Sequence, residues 1–185
     1  MRSEPVAARR VLAVAGALVL AAGPALLAQG GRISREEALA AVFPGAEIAA
    51  EQVFLTGDQM AAAAALAREE IESGLVARYV ATRGGAVTGR AYVDTHVVRT
   101  KRESLLISLD VTGRLKRVDV TAFLEPREYL APERWLAQYA GRRLDDDLAL
   151  QRAIRPIAGA TLTAIGTNAA VRRVLAIDQV LEQRP

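Results

Sequence analysis

Thr161 sits in the run Ala158-Gly159-Ala160-Thr161-Leu162-Thr163, between Ile154-Arg155-Pro156-Ile157 and an apolar pattern of helical period that begins near Thr163. A threonine hydroxyl can carry an ester, but it is a poor nucleophile until a base or metal activates it. Gly159 and Ala160 leave little bulk beside it, so a phosphate or another backbone can approach closely. Pro156 disfavours helix at Arg155, which is expected to be extended. Thr161 or Thr163 is then the natural N-cap of the helix that follows. The free N–H groups and positive dipole end of a helix N-terminus suit a phosphate. The same residues also describe an ordinary strand-to-helix turn with a threonine cap, and local chemistry does not separate the two.

Other chemistry is limited by composition. The chain has no cysteine and one histidine. The first fact excludes disulfides, iron–sulfur clusters, thiolate zinc, c-type haem attachment and a lipid anchor on cysteine. The second makes a protein-only zinc or haem site a poor fit. Redox work would therefore need an organic cofactor. His96, in Thr95-His96-Val97-Val98 at the expected end of a strand, is a candidate to tune such a cofactor or relay a proton. Its plainer role is an exposed or hydrogen-bonded structural residue. Asp145-Asp146-Asp147 offer three adjacent carboxylates, but without EF-hand spacing they read as a solvated loop. The net charge is +3, and of the 24 basic residues only Lys101 and Lys116 are lysine. The arginines are spread along the chain and only 4% of residues are aromatic, which is not the basic, ring-studded surface of a nucleic-acid binder.

These residues need elements to hold them. At 185 residues, 51% hydrophobic and 24% charged, the chain is long enough for one globular domain with its own core. Ahead of that domain, Arg2, Arg9 and Arg10 precede an uncharged apolar run over 11–28. As a helix it would rise about 27 Å, near the roughly 30 Å of a bilayer core. The preceding arginines place the N-terminus in the cytoplasm. The run is long for a signal peptide and no clean Ala-x-Ala site follows it. It reads as a short cytoplasmic tail and single-pass transmembrane helix over 1–31, ahead of an extracytoplasmic domain over 32–185. A cleaved signal peptide is the other reading and exports the domain equally.

Within that domain, Ser34 and Glu37 form a capping box, Leu39, Val42 and Phe43 share an apolar face, and Pro44-Gly45 ends the helix. Residues 47–55 suit a strand. Thr56-Gly57-Asp58 suits a turn and cap before a helix over 59–73, which Gly74 stops. From Leu75 the period changes to two. Residues 75–83 and 86–98 flank a Gly84-Gly85 turn, and 105–110 and 115–123 flank Thr112-Gly113. Val118 and Val120 share one face there. Pro132 opens a short helix with Trp135, Leu136 and Tyr139 on its apolar side, ended by Gly141. A last helix over 163–181 buries Val171, Val174 and Leu175. The sum is an α+β domain, a twisted antiparallel sheet with helices packed on one face.

Gly159-Ala160-Thr161-Leu162-Thr163 resembles the flavin-attachment motif of the FMN-binding domain family, Asp-x-x-[Ser/Thr]-Gly-Ala-Thr-x-[Ser/Thr]. The stretch from Glu37 through Phe43-Pro44-Gly45-Ala46 is similar to that family's opening. Glu125, Pro126 and Trp135 match the outline of its Glu…Pro loop and following helix. The likeness spans residues 34–181. The family includes the G subunit of the Rnf electron-transport complex, the C subunit of the sodium-pumping NADH:quinone reductase and many stand-alone, membrane-anchored proteins. Here Arg155 stands at the motif's Asp and Ala158 at the Ser/Thr before its glycine. Glu125-Pro126-Arg127-Glu128-Tyr129 replaces the Glu-Thr-Pro-Gly of the ion-pump subunits, which sets the chain nearer the stand-alone branch.

The resemblance implies FMN esterified through its phosphate to Thr161, with Gly159, Ala160, Leu162, Thr163, Glu125, Tyr129 and Trp135 around it. Tyr129 and Trp135 are candidates for contact with the flavin ring, or else for core packing. It also implies attachment by a dedicated flavin transferase that uses FAD and a divalent metal, since no histidine lies near Thr161 in sequence to serve self-attachment. A membrane redox partner (quinone, flavin or haem subunit) and a place on the extracytoplasmic (periplasmic) side of the inner membrane complete the expectation. Three functions are open: an anchored electron carrier without its own substrate, a flavin-dependent reductase of an exported acceptor, and an exported binding or sensing domain of the same fold that has lost the flavin.

Overall fold

The alternation that begins at Leu75 builds a meander. In the computed structural model, which describes residues 33–183, five strands pair antiparallel in sequence order. They are β1 (Glu47–Phe54), β2 (Leu75–Arg83), β3 (Ala86–Val97), β4 (Arg102–Asp110) and β5 (Leu115–Phe123). Gly84 and Gly85, with φ of +57° and +79°, close the two-residue β2–β3 hairpin. That is the turn whose twist matches its strands, and both positions need positive φ. The expected segment over 1–31 lies outside the described residues. Among the described residues no helix is long and apolar enough to cross a membrane.

Among the described residues four α-helices join the sheet: α1 (Arg35–Val42), α2 (Gly57–Ala67), the single turn α3 (Glu133–Leu136) and α4 (Thr161–Leu181). The capping box at Ser34 is present, with the Glu37 carboxylate 2.9 Å from the Ser34 N–H. Thr56 and Gln59 make a second box at α2. α4 lies across the inner face of β3 and β4, α2 packs along α4, and together with α3 they enclose the main core around Tyr92, Leu105, Ile107, Val171 and Val174. The helices do not all lie on one face, as the sequence suggested. α1 covers the opposite face and buries Leu39, Val42 and Phe43 with Ala91 and Leu106. The period of two explains this, because Ala91 and Leu106 alternate with Tyr92 and Leu105 and must find cover on the other side.

The main departures from the expected boundaries are three. α2 ends at Ala67, not 73, because Arg68 turns left-handed at φ 56° and ψ 34° and its N–H closes on Ala64 O. Glu69, Glu70 and Glu72 would also have sat at the negative end of the helix dipole. β4 begins at Arg102, earlier than 105, because Arg102 and Glu103 pair with Val97 and His96, a charged start that lacks an apolar signature. α4 begins at Thr161, after a turn in which Gly159 takes φ +80°.

Candidate functional site

Thr161 is the first residue of α4 and is exposed. Neither it nor Thr163 caps the helix. Ala160 holds the cap position, and no side chain bonds the first turn. The reason is burial. Thr163 is 1% exposed, sits inside the first turn, and turns its hydroxyl away from the helix end to donate to Tyr129 O at 2.7 Å. The first-turn N–H groups of α4 therefore lack both intrahelical and side-chain acceptors. The Thr161 side chain stands beside them. Leu162 and Ile165, 48% and 50% exposed, extend an apolar surface from it. Space around Gly159 is open, with no heavy atom within 4 Å of where a Cβ would stand, so its glycine is required by φ, not by crowding.

Three loops meet at this helix end. Glu125, buried after β5, accepts the N–H groups of Thr100 at 2.6 Å and Lys101 at 2.7 Å through Oε1. These two backbone donors, Thr100's first, hold its carboxyl below the usual range. Glu125 thus ties the β3–β4 loop to the segment that leads to Tyr129, whose carbonyl holds Thr163. Trp135 is 7% exposed, meets Tyr139 edge-on at 5.6 Å, and donates its indole N–H to Arg155 O at 2.6 Å. Glu125, Tyr129, Trp135 and Thr163 are therefore brought together around the start of α4 as its scaffold. Thr161, Leu162 and Gly159 form the exposed surface that the scaffold presents, and Ala160 is buried beneath it.

The polar seam between β3 and α4 was not anticipated. Arg90, Tyr92, Asp94 and His96 occupy alternate positions of β3 and all turn toward α4. Arg90 Nε and the Tyr92 hydroxyl both donate to Asp178 Oδ1, at 2.7 and 2.8 Å. Asp94 receives both arms of Arg173 at 2.8 and 2.9 Å and lies 2.9 Å from His96 Nδ1. His96 Nε2 is 3.2 Å from Glu103 Oε2, an ion-pair distance without hydrogen-bond alignment. Burial would push the imidazole down, but Asp94 and Glu103 outweigh it and lift it to about 9. Burial likewise raises Asp94, yet His96 and Arg173 bring it below the ordinary carboxylate range. His96 is therefore a cation at neutral pH, held between two carboxylates, and no base for Thr161. A cleft of about 690 Å³ between β3, α4 and the end of the 68–74 segment opens onto Asp94, His96, Arg173 and Gly166. The signal for this seam was legible: Arg90, Tyr92, Asp94 and His96 are four polar residues at every second position of one strand.

Asp145, Asp146 and Asp147 lie in an exposed loop, where Asp146 pairs with Arg68 and Asp147 with Arg152. Among the described residues no cluster of His, Cys, Asp and Glu could hold a metal ion. Comparison with models of known protein families and with the sequences of curated proteins finds no match.

Proposed function

We propose that this chain is a membrane-anchored flavoprotein that carries FMN on Thr161 through a phosphoester and passes electrons in an extracytoplasmic or membrane-associated chain. The observation that carries the reading is the exposed, uncapped start of α4. It places an accessible hydroxyl beside first-turn N–H groups free to receive phosphate oxygens. The resemblance of Gly159-Ala160-Thr161 to the family's attachment motif points to the same atom. Leu162 and Ile165 supply an apolar bed for a ring next to the acceptor. The bound flavin would supply one- and two-electron chemistry, and the protein would fix its position.

His96 is engaged with carboxylates, so attachment falls to a separate transferase that brings its own activation. The uncharged run over 11–28 supplies the anchor in this reading and sets the domain on the outer side of the inner membrane. A quinone, flavin or haem subunit is the redox partner the reading calls for.

Intact mass of the protein purified from its native membrane, beside Thr161→Ala, tests this. The expected result is a gain of one FMN less water in the parent and none in the variant. An unmodified parent mass, with an active flavin transferase in the same cells, sinks the reading. The second reading is the exported binding or sensing domain without flavin. It is favoured by Arg155, an exposed cation where the motif has an acid, and an unmodified mass would select it.

A further inference from the structure

Among the described residues, Arg68, Arg78, Arg90, Arg117, Arg152 and Arg173 each pair with a carboxylate. Arg134, Arg142 and Arg155 are among the arginines that do not. These three converge on one concavity of about 490 Å³, walled by Trp135 and Pro156, and no carboxylate lines it. Its floor is knit across two segments. Arg142 Nε donates to Gln138 O at 3.1 Å, and Nη2 donates to Ala153 O at 3.2 Å. Gln138 accepts the Arg155 N–H at 3.0 Å and donates to Trp135 O at 3.0 Å. The indole N–H closes the ring of bonds on Arg155 O. One guanidinium is thus fixed in place, while Arg134 and Arg155 are exposed and their side chains bond no group among the described residues.

Three like charges gathered in a concavity repel one another and favour an occupant of opposite sign. Guanidinium forks match phosphate oxygens in pairs, and three of them exceed what a single phosphate needs. A concave, rigid site suits a compact ligand better than a flat lipid surface. We infer that the groove between α3 and residues 153–156 binds a small ligand through a diphosphate group, with Arg142 as the fixed contact and Arg134 and Arg155 closing on it. The inference rests on the groove alone and stands whether or not Thr161 carries a flavin.

The test is calorimetric titration of the full chain with inorganic pyrophosphate, beside orthophosphate and sulfate, and beside vesicles of anionic phospholipid. Expected are saturable one-to-one binding of pyrophosphate, weakened by salt, and a preference of about tenfold over the single-phosphate-sized anions. Arg155→Gln should lose about tenfold in affinity and Arg134→Gln with Arg155→Gln more than either alone. Arg68→Gln, which touches the Asp146 loop, should change nothing. Thermal melts should be unchanged in every one of these variants, because these side chains are exposed. Absence of saturable binding, equal affinity for sulfate, indifference to the double substitution, or vesicle binding that pyrophosphate does not displace would each overturn the proposal.

Discussion

At the residue scale, Gly166 and His96 make one unit. A Cβ at Gly166 would stand 2.8 Å from His96 Nε2 and 3.0 Å from its Cδ2. The ring cannot easily withdraw, because Asp94 and Glu103 hold it from both sides. In an open helix Gly→Ala would gain up to about 1 kcal/mol, whereas an overpacked contact costs about 1–3 kcal/mol. Gly166→Ala is therefore expected to destabilise by about 1–2 kcal/mol in urea unfolding. In a His96→Ala background the same change should become neutral or stabilising, and a gain in the parent would show the contact to be slack. His96 also sets a pH dependence. Its folded value of about 9 lies above its ordinary 6.5. The stability it contributes is whole below about pH 6.5 and is lost as pH rises through about 9. Unfolding free energy should fall across that window by up to about 3 kcal/mol, and His96→Gln should flatten the slope. A parent profile that is flat between these pH values would refute the charged assignment.

At the element scale, side chains that bond backbone at the start of α4 do more for the candidate site than any that face outward. Glu125→Ala removes the acceptor shared by the Thr100 and Lys101 amides and is expected to loosen the β3–β4 loop. Hydrogen exchange at those two amides should quicken selectively, and unchanged exchange there would show another acceptor. Farther along α4, Asp178→Ala leaves Arg90 buried at 3% exposure with Glu182 at 3.4 Å as its remaining carboxylate. Removing one member of a buried pair should cost about 3 kcal/mol, seen as a lower urea midpoint at unchanged slope. These elements differ in how far the sequence announced them. The capping box at Ser34, the Gly84-Gly85 hairpin and the α4 stripe of Val171, Val174 and Leu175 are local patterns, and each appears where read. The first turn of α4 was misread because a buried threonine and a capping threonine look alike in sequence. Only the distant Tyr129 carbonyl decides between them. The arginine groove joins residues 134 and 155 across a loop, so no short-range pattern announces it.

At the scale of the whole molecule, the sheet belongs to two cores at once. β3 and β4 send Tyr92, Leu105 and Ile107 to the α4 side and Ala91 and Leu106 to the α1 side. Neither face can be lost without stripping the strands of the other, so the domain should unfold in one transition. The single tryptophan makes this checkable, because Trp135 lies in the α4-side core. Leu39, 5% exposed on α1, belongs to the opposite face. Leu39→Ala should cost about 2–3 kcal/mol through lost transfer energy and an unfilled space under a short helix. If the cores are coupled, Trp135 fluorescence and far-ultraviolet circular dichroism shift together to a lower midpoint, although the substitution is remote from the indole. If the fluorescence midpoint stays while the dichroism signal splits, α1 and its face unfold as a separate unit. The scaffold under Thr161 would then depend on the α4 side alone.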